Sequence, residues 1–301
     1  MYLATKTYQR INEMIKADQG AKFRECLGLI MPHMKDAFDP EKQTFRSHLG
    51  ASMIGRECAR DIWYGWRWAV KSEFEGRMVR LFNRGHLEEA RFLAMLMMIG
   101  CQIYQQDENG NQYRISHAEG HFGGSGDGIV IGLPDFDEPI ACLTEFKTHN
   151  DKSFAKLVSV GVQEAKPEHY VQMNVYMGKM GLNYALYGAV NKNNDELHLE
   201  LLAYTPSVAE EFLDRGERLV WMGTPPPKIG TSIGFYKCRM CNNKAVCHGT
   251  GKPDMNCRTC RFSAPGTAAQ WFCSNPVAPG VIDKERQLAG CSHYEQIEGF
   301  K

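Results

Sequence analysis

The chain has 301 residues, and its 35 Lys plus Arg balance its 35 Asp plus Glu, so the formal net charge is zero. No overall field draws it to polyanions, and any nucleic-acid contact must come from local patches such as Arg77, Arg80 and Arg84, or Lys152, Lys156 and Lys166. The most apolar helical stretch, Phe92 to Ile99, is far too short to span a bilayer, and the N-terminus lacks the apolar core of a signal peptide, so the expectation is a soluble, cytosolic protein.

In chain order, residues 1–50 read as mostly helical and polar, with a break at Asp39-Pro40. Residues 51–70 read as an aromatic-rich helix holding Cys58, Trp63, Tyr64, Trp66 and Trp68. Residues 76–99 follow as a helix with a kink at Gly85, and Met78, Leu81, Phe82, Leu93, Leu96 and Met97 are its core positions. The segment 101–147 changes to strands, separated by Asn109-Gly110-Asn111, Gly123-Gly124-Ser125-Gly126 and Leu133-Pro134-Asp135. A helix is expected near 152–160, and Pro167 suits the first turn of another that runs to about Met180. Tyr184–Val190 and Leu197–Ala203 read as strands around an Asn/Asp-rich turn, and Ser207–Met222 as a helix with Glu210 and Glu211 in its first turn. Pro225-Pro226-Pro227 marks a boundary. The fold class is therefore α/β (α+β), a mixed central sheet flanked by helices, in residues 1–225, with a cysteine-rich metal-binding region in 226–301.

The most informative stretch is Gly126-Asp127-Gly128, followed about a hairpin later by Thr144-Glu145-Phe146-Lys147. Residues two apart in a strand share a face, so Glu145 and Lys147 project together and Phe146 turns to the other side. Asp127 on the partner strand would meet Glu145 across the ladder. Two carboxylates aimed together hold a divalent cation, and the ammonium beside them orients a water.

This constellation resembles the PD-(D/E)XK nuclease superfamily, in the branch that holds RecB-type nucleases, the CRISPR-associated RecB-like exonucleases and λ-type exonucleases. The resemblance spans roughly residues 50–250 and rests on several motifs in order. Arg84-Gly85-His86-Leu87-Glu88-Glu89 matches the Arg-Gly-x-x-x-Glu pattern of λ-type exonucleases and puts Arg84 at the substrate and Glu89 in the site. His86 shares a helix face with Glu89 and is the other candidate there. Gly126-Asp127 stands where the superfamily has Pro-Asp, Glu145-Phe146-Lys147 matches Glu-x-Lys, and Gln172-Met173-Asn174-Val175-Tyr176 matches Gln-x-x-x-Tyr. The resemblance implies a restriction-endonuclease-like core. Asp127, Glu145, Glu89 and the Phe146 carbonyl would bind Mg²⁺ or Mn²⁺, and Lys147 would activate water and stabilise the transition state. Gln172 and Tyr176 would hold the DNA strand. It also implies a deoxyribonuclease, an exonuclease by preference, acting in recombination or repair, plausibly phage-encoded and working in the host cytoplasm, with a single-strand annealing protein as a partner and a ring oligomer as one option. The alternatives are a structure-specific endonuclease on the same core, and a nucleic-acid-binding protein whose nuclease core is degenerate.

Of the eleven cysteines, seven lie between Cys238 and Cys291, and two pairs are Cys-x-x-Cys. In a reducing compartment such spacing favours metal over disulfides. The relatives with iron–sulfur clusters, AddB-type nucleases among them, have one cysteine before the nuclease core and three after it. By position, Cys58, Cys238, Cys241 and Cys247 would hold a four-iron, four-sulfur cluster here. The alternative is Zn²⁺, with His248 replacing a free Cys58. Cys257, Cys260 and Cys273, with Cys291 or His293, read as a second, zinc-binding set spanning 257–293. Trp271 and Phe272 beside Cys273 are expected to pack over it, with stacking on bases as the alternative, and Cys26, Cys101 and Cys142 to be ordinary buried residues.

Overall fold

The computed structural model describes residues 1–34, 38, 45–108 and 112–300, so the expected break at Asp39-Pro40 and the expected turn at Asn109-Gly110-Asn111 lie outside the described residues. The strands, in chain order, are β1 (Tyr2–Leu3), β2 (Leu49–Gly50), β3 (Gln102–Tyr104), β4 (Arg114–His117), β5 (Phe122–Ser125), β6 (Ile129–Ile131), β7 (Ala141–His149), β8 (Tyr184–Asn191), β9 (Leu197–Ala203), β10 (Ser263–Pro265), β11 (Trp271–Cys273) and β12 (Gly280–Ile282). Two compact units interleave along the chain. One comprises Met1–Lys42, Phe74–Ile115 and Ser125–Glu210; the other comprises Gln43–Glu73, Ser116–Gly124 and Glu211–Lys301.

The first unit is a mixed sheet flanked by helices, ordered β1-β9-β8-β7-β6-β3. Only the β7–β8 pairing is parallel; the other four are antiparallel. A parallel pair needs a crossover, which helices Asp151–Ala165 and Pro167–Met180 supply. Register decides what each face of the sheet carries. Phe146, Gly188 and Leu199 align across β7, β8 and β9, as do Glu145, Tyr187 and Glu200 one residue away. The first row belongs to an apolar face. Phe146, Leu186, Val190, Leu199 and Leu201 join Ile11, Cys26, Ile30, Phe92, Leu93 and Leu96 in one buried core, built with helices Thr5–Asp18, Ala21–Ile30 and Gly76–Met98. Phe92 and Phe146 stack at 4.7 Å over Gly188, where a Cβ would stand 2.8 Å from the Phe146 ring. The second row faces the crossover helices and is polar, yet Glu145, Tyr187 and Glu200 are all buried.

Helix Gly76–Met98 runs through Gly85 as a single helix, since one glycine weakens a helix without bending it. Its core positions lie in the C-terminal half. Leu93 and Leu96 are buried, but Met78 and Leu81 are half-exposed, and Phe82 is exposed and meets Phe74 edge-on at 4.9 Å. The expected 51–70 helix is two, Ala51–Ile54 and Ala59–Trp66, broken at Gly55-Arg56-Glu57. Cys58 caps the second, its Sγ accepting the Asp61 N–H at 3.4 Å.

The second unit holds this aromatic helix and a small antiparallel sheet, β10-β11-β12. Its centre is a cation cage. The Arg258 guanidinium, from within the Cys257-Arg258-Thr259-Cys260 turn, lies 3.8 Å from the Trp68 ring centre and 4.5 Å from those of Trp66 and Trp271. It donates to Gln287 at 2.9 Å, to the Trp66 carbonyl at 3.1 Å and to the Ser47 carbonyl at 2.8 Å. A buried guanidinium is tolerated only with its donors spent and ring faces around it. Trp271 is thus turned into the cage instead of over the cysteines, because the three aromatic faces and Arg258 need one another.

Candidate active site and cysteine-lined cavities

The first unit gathers Glu89, Asp127, Glu145 and Lys147 closely enough that Asp127 acts on the charges of Glu89 and Glu145, and all three carboxylates on that of Lys147. Asp127 sits in the bend before β6, whereas the sequence suggests a strand position. The ladder ends with the Thr144 N–H donating to the Gly128 carbonyl, and the next donor, Phe146 N–H, is taken by Asp127 Oδ2 at 3.1 Å. The side chain thus continues a ladder that the backbone has left. Gly128 makes the bend possible: its φ is +138°, and a Cβ there would stand 3.0 Å from the Tyr104 carbonyl.

Glu145 is 2% exposed. Gln172 donates to its Oε2 at 3.0 Å, and the Lys147 ammonium forms an ion pair at Oε1, which no donor meets in hydrogen-bond geometry. Burial, with Asp127 and Glu89 adding to it against the pull of Lys147, pushes the Glu145 carboxyl up to about 7. Burial works against the Lys147 charge, but the carboxylates of Glu145, Asp127 and Glu89 outweigh it and keep the ammonium protonated. Lys147 also donates to the Phe146 carbonyl at 3.1 Å. Its cationic head therefore rests on two of the oxygens that the resemblance gives to a metal.

Glu89 lies one helical turn from His86, with Oε1 3.7 Å from Nδ1, and burial raises its carboxyl. Its neighbour Glu88 is instead paired with Arg91 at 2.9 Å. Tyr176 is buried and donates to the Ser125 carbonyl at 2.9 Å, bracing the segment that leads to Asp127. Gln172 and Tyr176 are thus engaged inside the protein. Arg84 is exposed and donates to the Lys192 carbonyl at 2.8 Å. Among the described residues, no three His, Cys, Asp or Glu side chains already converge as a metal site. The Lys147 ammonium sits at the Glu145 carboxylate instead. Three neighbouring carboxylates, with Glu145 Oε1 held only by an ion pair, are a hard-oxygen donor set whose chemistry suits a divalent ion.

The second unit brings each cysteine set to its own cavity. Cys58, Cys238, Cys241 and Cys247 line one of about 190 Å³, with His248 among them. His248 Nε2 is buried there without a hydrogen-bond partner among the described residues. Cys241 Sγ lies 3.0 Å from Asp61 Oδ1, and burial foremost, then Asp61, pushes its thiol up to about 12. Cys257, Cys260, Cys273, Cys291 and His293 line another cavity of only about 10 Å³. Burial, then the other three cysteines, raises Cys257 to about 11. In neither cavity do three of the described His, Cys, Asp or Glu side chains converge closely enough to form a metal site as they stand. Soft thiolates fit zinc or iron–sulfur chemistry. Cys26, Cys101 and Cys142 are buried in the first unit.

Sequence reasoning missed His149, His169 and Tyr187, which lie buried or half-buried next to the carboxylates. The signal was present: His149 continues the Glu145-x-Lys147 alternation, and His169 precedes Gln172 by one helical turn. Asp61 beside Cys241 had no sequence signal.

No family model matches the chain, and no curated protein does either. Among solved structures, it is similar to LHK-Exo, an alkaline exonuclease from Laribacter hongkongensis, at 17% identity and a TM-score of 0.40, covering 57% of this chain and 86% of that one. LHK-Exo in complex with dAMP gives 15% and 0.40 over the same shares. SSO0001 gives 11% and 0.39, covering 73% of this chain and 93% of that one. Likenesses this loose carry no argument about function. Among the described residues, no helix is long and apolar enough to cross a membrane.

Proposed function

We propose that the chain is a Mg²⁺- or Mn²⁺-dependent deoxyribonuclease of the PD-(D/E)XK type, acting as an exonuclease on DNA ends. The observation that carries this reading is the Glu145 carboxylate: buried, fixed by Gln172 on one oxygen, and met on the other by Lys147 from two residues along the same strand. A solvated strand edge would show neither the burial nor the fixed partner. Asp127, Glu145, Glu89 and the Phe146 carbonyl would hold the ion, which supplies Lewis-acid activation of water and of the phosphodiester. Lys147, released from Glu145, would orient the attacking water and stabilise charge on the phosphate. Gln172 keeps Glu145 aimed, Tyr176 braces the segment before Asp127, and the exposed Arg84 is left as the side chain for a role with the strand.

In the second unit, Cys58, Cys238, Cys241 and Cys247, which line one cavity, would hold a four-iron, four-sulfur cluster, or Zn²⁺ with His248 in place of Cys58. Cys257, Cys260, Cys273 and Cys291 would hold one Zn²⁺. Both would be structural, since hydrolysis needs no electron transfer. A role in recombination or repair, with a single-strand annealing protein as partner, fits this chemistry, and a reducing cytoplasm suits the unpaired cysteines.

The test is cleavage of end-labelled single- and double-stranded DNA and of closed circular DNA by protein purified without oxygen. Metal-dependent release of nucleotides from ends, absent in Asp127→Ala, supports the proposal. Cutting of closed circles points to an endonuclease. Binding without cleavage by folded, metal-replete protein points to a non-catalytic binder.

A further inference from the structure

The polar face of the central sheet continues past the carboxylates into a group that the proposed chemistry does not use. Glu145, Lys147 and His149 follow one another on the same face of β7. On helix Pro167–Met180, His169, Gln172 and Tyr176 follow at helical spacing. Tyr187, aligned with Glu145 across the parallel β7–β8 ladder, stands between the two rows. Its hydroxyl lies 3.0 Å from His149 Nε2 and 3.0 Å from His169 Nδ1, while His149 Nδ1 lies 2.9 Å from Ser153 Oγ. Three elements thus meet at one hydroxyl: the end of β7, the middle of β8 and the first turn of the helix that carries Gln172.

That hydroxyl has one hydrogen. One ring accepts it, and the other donates its own N–H to the oxygen. Such a junction holds direction as well as distance, because each ring is fixed by the bond it makes. Tyr187 is wholly buried and His149 is 4% exposed, so water does not compete for the bond between them; His169 is half-buried. Burial first, and then nearby lysines including Lys147, keeps both rings neutral, with His149 lowered to about 4 and His169 to about 2.

We propose that Tyr187 is a positioning residue for the carboxylate site. By tying His169 to the sheet, it fixes the rotation of helix Pro167–Met180, so that Gln172, three residues on, reaches Glu145 Oε2. By tying His149 at the end of the same strand, it sets the section of β7 that carries Lys147. The inference rests on reading Glu145 as a metal ligand. Outer-shell partners of a ligand tune its affinity for the ion, and losing one typically costs about 10- to 100-fold.

The experiment measures Mn²⁺ binding to the full chain by calorimetry, alongside DNA cleavage, for wild type and for Tyr187→Phe, His169→Leu and His169→Gln. Tyr187→Phe keeps the ring and removes only the junction. It is expected to weaken Mn²⁺ binding and lower kcat by about 10-fold each, with KM for DNA unchanged. His169→Leu should behave alike, and His169→Gln, which can still bond the hydroxyl, should recover most of the binding. Unaltered Mn²⁺ affinity and kcat in a folded Tyr187→Phe protein, even with a lowered Tm, would show a merely structural role and overturn the proposal. So would equal Mn²⁺ affinities in the two His169 variants. If wild type cleaves no DNA but Tyr187→Phe still weakens Mn²⁺ binding, the nuclease reading falls and this inference stands.

Discussion

Glu145 and Lys147 lie on a nine-residue strand paired on both sides, whereas Cys58, Cys238, Cys241 and Cys247 come from a helix cap and a region of turns with one four-residue helix. The carboxylates have their partners without any ion: Gln172, Lys147 and the Phe146 N–H hold them. The cysteines have few. They line empty volume, burial raises the thiols of Cys241 and Cys247, and His248 Nε2, from the same lining, is buried without a hydrogen-bond partner among the described residues. A site borrowed from a hydrogen-bonded sheet costs the fold little when its ion leaves. A site made of turns depends on its ion for stability. The first unit should therefore survive changes that abolish its chemistry, and the second, if it holds the proposed metals, should lose structure with them.

The strongest way to break this contrast is to separate activity from stability. Lys147→Ala should lower cleavage by about 10³-fold or more, as expected when a group acting on transition-state charge is lost. Its thermal unfolding should stay close to wild type. A large fall in Tm would mean that the pair holds the sheet together, and the contrast fails. Cys238→Ser should do the reverse. Loss of a structural metal belongs to the few mechanisms worth more than about 4 kcal/mol, which is about 10 °C or more of Tm for a unit this size. A Tm unchanged by Cys238→Ser would show that the turns stand without metal.

The two cavities sharpen the comparison within the second unit. Metal analysis and visible absorbance of anaerobically purified protein should show several irons at the larger cavity, lost in Cys241→Ser, and one zinc at the smaller, lost in Cys260→Ser. Each variant should keep the other metal. A single zinc lost from Cys241→Ser, with no iron in wild type, would remove the cluster.

A smaller effect is expected from pH. The Glu145 carboxyl is raised to about 7, so below that pH an incoming ion must displace its proton. The Mn²⁺ concentration for half-maximal cleavage should fall as pH rises towards 7 and level off above it. A requirement that is flat from pH 6 to 8 would take Glu145 out of the ligand set. Smallest is Gln172→Ala. It removes one charge-assisted hydrogen bond, worth about 1.5–3 kcal/mol, and should slow cleavage by about 10- to 150-fold. An effect below that size would leave Lys147 as the only side chain that matters for aiming Glu145.

Local rules carried most of the element assignment. Alternation at 184–190 and 197–203, Pro167 at a first helical turn and the Glu-x-Lys spacing each depend on neighbours a few residues away, and the structure forms β8, β9, helix Pro167–Met180 and a strand with Glu145 and Lys147 on one face. Where the expected elements differ, the competing force is tertiary. Phe82 has the spacing of a core residue but lies outside the apolar core, and Trp271 stands beside Cys273 but is drawn to Arg258.

The sequence by itself determined which residue types could do chemistry and which strand or helix would carry them, because periodicity and turn chemistry act over short range. Only the tertiary structure decided that Asp127 caps the β7 ladder from a bend, that Tyr187 joins His149 to His169, that Arg258 fills an aromatic cage, and that two sets of cysteines enclose volumes of such different size. Those outcomes depend on strand register and on contacts between residues far apart in the chain, and no local pattern encodes either.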